Sequence, residues 1–129
     1  MRFRTFLRSK IHRATVTEAN VDYIGSITLD EDLMQAADIA EYEEVLIADL
    51  DNGERLETYV IRGERGSGAV GINGAAALKI GVGDKIIIFA YTQITDDEIA
   101  GLKPRIIFVD ERNRVTDVAQ LETPRTRLA

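Results

Sequence analysis

A serine that directly follows a glycine can react with its own backbone, and residues 23–26 read Tyr23-Ile24-Gly25-Ser26. The hydroxyl attacks the carbonyl carbon before it, the amide nitrogen leaves, and the peptide bond becomes an ester. Glycine at that preceding position removes a Cβ that would crowd the attack and tolerates a strained backbone. Elimination from the ester then frees the upstream chain and leaves dehydroalanine, which hydrolyses to a pyruvoyl cap on residue 26. A Gly-Ser pair alone is ordinarily a turn, and Gly66-Ser67 is another in the same chain. The pair therefore gains weight only from its companions.

Three other stretches supply them. In Lys10-Ile11-His12-Arg13, Lys10 and His12 fall on one face of a strand, where they would form an anion site. Taken alone, the stretch is a solvated basic face. Arg55-Leu56-Glu57-Thr58-Tyr59 offers a guanidinium fork for a carboxylate and a phenol as proton donor. On a strand Arg55 and Tyr59 share a face about 13 Å apart, while Thr58 points the other way. If Thr58 and Tyr59 serve one site, the strand must bulge or end there, or a neighbouring subunit must contribute. Asn73-Gly74-Ala75-Ala76-Ala77 reads as a capped short helix. Asn73 and the free amides at the helix start would also donate to a carbonyl or carboxylate.

The elements that must position these residues are mostly short strands. Residues 2–17 roughly alternate, with Phe3, Leu7 and Ile11 on one side and Arg2, Arg4, Arg8, Lys10 and His12 on the other. Residues 21–24 form a further extended piece. Asp30 is placed to cap a short helix with Glu31 and Asp32 in its first turn and Leu33, Ala36 and Ala37 facing inward. Residues 45–50 and 55–61 are β-rich and flank Asp51-Asn52-Gly53, a hairpin signal through the positive φ of a type I′ turn. Residues 63–74 hold five glycines and read as irregular loop, and residues 73–79 as a one- or two-turn helix capped by Asn73. Residues 85–92 are the most apolar strand, 106–110 the last clear one, and 113–129 a polar, mobile tail. Strands without long crossover helices do not suit a doubly wound α/β fold and point to a small β-barrel with helical decorations.

A chain of 129 residues is one domain, and 45% hydrophobic content is enough for a packed core. The balance of 16 Lys+Arg against 22 Asp+Glu leaves a charge of -6, which argues against nucleic acid as a partner. With no cysteine and one histidine, thiolate chemistry and Cys/His zinc sites are excluded on ligand count. The longest apolar runs, such as residues 86–90, are too short to span a bilayer. The basic start lacks a signal-peptide core, so the expected address is the cytoplasm.

The four stretches, in this order and spacing, resemble the pyruvoyl-dependent aspartate 1-decarboxylases, and the likeness runs from the basic strand past Asn73-Gly74-Ala75-Ala76 to Val82-Gly83-Asp84. The resemblance implies a mainly β, double-psi β-barrel with a few short helices. It implies a homotetramer with sites between subunits, and cleavage between Gly25 and Ser26 into an upstream chain, 1–25, and a downstream chain, 26–129. On that likeness Ser26 would become the pyruvoyl group, Thr58 would support the cleavage, and Tyr59 would reprotonate the carbanion. The same likeness implies that Lys10 and Arg55 hold the substrate, that Asn73, Gly74, Ala75 and Ala76 form its binding turn, and that His12 and Tyr23 stand behind them. The reaction implied is L-aspartate to β-alanine and CO2, feeding pantothenate and coenzyme A, with no metal and no pyridoxal phosphate. The chain departs from some members at Ile24, where a polar residue can precede the glycine, and at Leu78, where a histidine can follow the alanines. Some members need an accessory protein for maturation.

The chemistry fits the residues present. Decarboxylation leaves a carbanion at Cα, and a ketone that forms a Schiff base with the substrate amine spreads that charge as pyridoxal phosphate does. Two cations, Arg55 and Lys10, match two substrate carboxylates, in either assignment. Two alternatives stand beside this reading. One is a non-enzymatic barrel that binds a ligand or a partner, as related barrels in small DNA-binding regulators do, and stays intact; the other is the same chemistry on a different amino acid such as glutamate, since one methylene is worth only about 1–3 kcal/mol of discrimination.

Overall fold

The computed structural model describes residues 1–124. In chain order its elements are β1 (Phe3–Thr15), β2 (Glu18–Asn20), β3 (Ser26–Asp30), the helix α1 (Glu31–Ala37), β4 (Glu44–Asp49), β5 (Arg55–Gly63) and β6 (Val70–Asn73). A 3₁₀ turn at Gly74–Leu78, β7 (Lys85–Thr95), a second 3₁₀ turn at Asp96–Gly101, β8 (Arg105–Val109) and β9 (Val115–Ala119) complete them. The strands hydrogen-bond in the order β2-β6-β3-β5-β4-β7-β1-β8-β9. Parallel pairings of β1 with β8, β2 with β6 and β3 with β5 interleave with antiparallel ones. This is the mainly β architecture expected, a double-psi β-barrel with a few short helices. Among the described residues no helix is long and apolar enough to cross a membrane.

The core is built by β-branched side chains on the inner faces of these strands, among them Ile11, Ile27, Ile47, Ile72, Ile86, Ile88 and Ile107, all fully buried. α1 closes one end with Leu33, Met34 and Ala37 inward. Its start follows the local rule: the Asp30 side chain accepts from the Asp32 amide. The same carboxylate accepts from the amides of Gly66 and Gly68 and so fastens the glycine-rich loop to the helix.

Several local expectations change. β1 is not a simple alternation: its ladder with β7 shifts between Leu7 and Ser9 and again between Ile11 and Ala14. The first bulge puts Leu7 opposite exposed Tyr91 and Ser9 opposite buried Ala90, so Phe3 and Leu7 do not share a face with Ile11. Residues 21–24 are turn rather than strand. The Asp51-Asn52-Gly53 hairpin forms, but with a longer connection in which Gly53 takes φ +76° and Asn52 does not enter that region. Residues 63–74 are not all loop, because β5 reaches Gly63 and β6 occupies Val70–Asn73. Nor is the stretch from Asn113 a tail. Buried Asn113 accepts from the Thr15 amide and donates to the carbonyls of Thr15 and Gly68, and β9 then pairs with β8. Residues 125–129 of that expected tail lie outside the described residues.

Candidate functional site

Ser26 opens β3 and is 5% exposed. Its antiparallel partner across the ladder is Asn73, the last residue of β6. That register brings the Asn73 Nδ2 to both hydroxyls of the facing strand: it donates to Ser26 Oγ and Thr28 Oγ1, each at 3.0 Å. The Ser26 hydroxyl donates in turn to the Ile24 carbonyl at 3.1 Å. Asn73 therefore makes no cap bond to the 3₁₀ turn that follows it. Its amide is committed to Ser26, which corrects its reading as a helix cap.

The turn after Asn73 sets the fit around the Gly25–Ser26 bond. Gly74 takes φ +78°. A Cβ there would stand 2.6 Å from Gly25 Cα and 2.8 Å from Gly25 N. Gly25 itself is not crowded in this way, for a Cβ on it would meet nothing nearer than the Asn73 carbonyl oxygen at 3.9 Å. The close approach thus rests on the glycine after Asn73, not on the one before Ser26. Ala75 is exposed and Ala76 half-buried beyond it. Tyr23 and Ile24, just before the bond, carry exposed apolar side chains, as does Leu78 at the end of the 3₁₀ turn.

β5 reaches this region by changing partners. Its ladder with β4 runs unbroken from Arg55 to Tyr59, and its parallel ladder with β3 begins at Val60, opposite Ile27. Thr58 and Tyr59 thus lie at the handover, one strand from the start of β3. Thr58 pairs with buried Val45 and faces the core side, whereas Tyr59 stacks on Tyr42 with ring centroids 6.1 Å apart. The strand neither bulges nor ends between them, so they point to opposite faces.

Arg55 and Lys10 form a second grouping around an aromatic that sequence reasoning missed. Lys10 Nζ stands 5.8 Å and the Arg55 guanidinium 5.7 Å from the centroid of Phe89. Phe89 is the cross-strand partner of Lys10 on β7, a relation visible only once the register is known. The ring gives both cations an apolar, electron-rich seat. His12 lies edge-on to Phe108 with centroids 6.1 Å apart. Burial first, then Lys10 and Arg13, hold its pKa below the ordinary value, with Glu122 opposing. Among the described residues, no hydrogen bond, ion pair or ring contact joins the Lys10–Arg55–Phe89 grouping to the Ser26–Asn73–Gly74 grouping.

Asp49, Asp51 and Asp84 bring carboxylate oxygens within 4.8 Å of one another. Asp49 is buried, and its pKa is pushed up to about 6 by burial first and by a hydrogen bond with Asp84. Burial of one carboxyl beside two others accounts for the raised value.

A sequence profile of the aspartate decarboxylase family matches residues 1–116. The chain belongs to that family. Among similar aspartate 1-decarboxylases, the one from Caldicellulosiruptor bescii is 57% identical over 120 residues, covering 93% of this chain and 94% of the relative. That from Acetivibrio thermocellus is 55% identical over 120 residues, covering 93% and 95%, and that from Bacillus cereus 53% over 126, covering 98% and 99%. As a member of the aspartate decarboxylase family the chain is a decarboxylase, and the alternative of a non-enzymatic barrel falls away.

Proposed function

We propose that this chain cleaves itself between Gly25 and Ser26, converts Ser26 to a pyruvoyl group, and decarboxylates L-aspartate to β-alanine and CO2 for pantothenate and coenzyme A. The observation that carries the reading is the junction itself. A buried serine is held by the Asn73 amide, and Gly74 is packed against the backbone of the bond to be broken. Ser26 Oγ adds to the Gly25 carbonyl carbon and the Ser26 nitrogen departs with a proton. The ester then loses the Ser26 α-proton and the Gly25 carboxylate, and the dehydroalanine takes up water and releases ammonia. The Asn73 amide orients the hydroxyl, and Thr58, one strand away at the β5 handover, is the donor for the oxyanion that forms on Gly25.

When present, the pyruvoyl carbonyl supplies the electron sink that decarboxylation needs. The chain's own residues do the rest. Arg55 and Lys10, seated on Phe89, hold the two carboxylates of the substrate. Tyr59 delivers a proton to the carbon that has lost CO2. Asn73 with Gly74, Ala75 and Ala76 lines the substrate, and His12 and Tyr23 support from behind. Two features favour a site completed between subunits of a homotetramer. Thr58 and Tyr59 point to opposite faces, and apolar Tyr23 and Ile24, just before the cleavage bond, are 55% and 83% exposed. The reading places the enzyme in the cytoplasm, with or without an accessory protein for maturation.

The test is direct. Purified protein given L-aspartate is expected to release β-alanine and CO2, and Ser26→Ala to stay uncleaved and inactive. Appreciable turnover in Ser26→Ala would remove the pyruvoyl role.

A further inference from the structure

Lys10 is not free to receive a substrate. Its Nζ stands 2.8 Å from Oε1 of Glu122, with the two side chains 15% and 41% exposed. Glu122 follows β9 and lines a cleft together with Leu121, Lys10, His12 and Phe108. The chain has thus laid one of its own carboxylates on a cation that the proposed function assigns to a substrate carboxylate.

We propose that Glu122 is an internal competitor for the carboxylate site at Lys10, so that substrate binds only as the segment after β9 releases its ion pair. This rests on the assignment of Lys10 to substrate binding. The chemistry is an exchange of like for like, a tethered carboxylate for a free one. The segment is built to let go. β9 is the last strand of the sheet, bonded on one side alone to β8, and Leu121 beside Glu122 is 67% exposed and anchors nothing in the core. A half-exposed ion pair of this kind is weak, so the competitor raises the apparent substrate requirement without closing the site. Neutralising it should tighten binding about two- to five-fold.

His12 provides a reporter, because it is the single histidine of the chain and gives one imidazole signal by NMR. Glu122 works against the burial and the two cations that hold its pKa down. In Glu122→Gln the His12 titration midpoint is therefore expected to fall below that of the unaltered protein. Succinate, a dicarboxylate without the reactive amine, then measures the site apart from catalysis, with the His12 signal followed during titration. Glu122→Gln is expected to bind succinate about two- to five-fold more tightly, and to lower KM for aspartate by the same factor with kcat within about twofold. An unmoved His12 midpoint would overturn the contact, and a moved midpoint with equal succinate affinity would leave Glu122 a structural partner only. Absence of succinate binding in both proteins would overturn the competitor together with the role of Lys10. Succinate can also be titrated into uncleaved Ser26→Ala; a tightened succinate site in Glu122→Gln, with no aspartate turnover in the protein that keeps Ser26, would keep the competitor and remove the decarboxylation of aspartate.

Discussion

A methyl group added at position 74 meets two separate costs. The first is conformational: Gly74 has φ +78°, and an L-residue there costs about 1 kcal/mol. The second is steric, since the new Cβ would lie 2.6 Å from Gly25 Cα and 2.8 Å from Gly25 N. Carbon atoms at rest stand about 3.5–4.0 Å apart, so the backbone has to move by roughly 1 Å. Overpacking of that kind costs about 1–3 kcal/mol, for a total near 2–4 kcal/mol. Gly53→Ala is the control, because Gly53 has φ +76° but nothing within 4 Å of its Cβ. For a chain of this size about 1 kcal/mol lowers Tm by roughly 3–5 °C. Gly53→Ala should fall by about that much, and Gly74→Ala by about two to four times as much. The displaced atoms belong to Gly25, whose carbonyl carbon is the one attacked, so Gly74→Ala should slow self-cleavage while Gly53→Ala leaves it alone. Thermal unfolding and a time course of cleavage on denaturing gels measure the two effects. Equal melting of both variants, with cleavage of Gly74→Ala at the unaltered rate, would refute the reasoning.

Tyr59→Phe should still be cleaved but lose about a hundredfold or more in turnover, the usual contribution of a proton donor; normal β-alanine production would remove Tyr59 from that role. Thr58→Val is nearly isosteric and should slow or block cleavage, read by intact mass over time, and unimpaired processing would dismiss the oxyanion donor. Asp49 predicts a pH dependence. Its folded pKa, about 6, lies above its ordinary value of 3.8, so the folded state holds the extra proton in that window. The stability this group gives is present below about pH 4 and is lost as pH rises through about 6. Asp49→Asn should flatten that part of the profile, and urea unfolding curves for the two proteins that stay parallel from pH 4 to 7 would count against it.

What could be read from the sequence was whatever depends on near neighbours in the chain. Asp30 caps α1 because an N-cap needs only the next two residues, and the strand character of residues 85–92 shows in their composition. The register across strands was hidden. The first of two bulges in β1 reverses the facing of Leu7 relative to Ser9, and a bulge arises from tertiary pairing, not from local preference. The 13-residue strand looked like one alternation, and in the barrel it is three. For the same reason Phe89, Thr28 and Tyr42 escaped notice: each touches a site residue from another strand. β9 was missed because Val115–Ala119 is an exposed edge strand with little apolar patterning. Within the candidate site, Ser26, Asn73 and Gly74 were picked out by residue type and meet in space. The part played by Asn73 differs from the expected cap because its antiparallel register with Ser26 turns the amide onto the hydroxyl.

Intact mass under denaturing conditions, before and after borohydride treatment, reaches the rearrangement of residue 26 most directly. Two chains are expected, one ending at Gly25 and one beginning at a blocked residue 26 that gains two hydrogens on reduction. A single full-length chain that persists after long incubation and does not react with borohydride would contradict it.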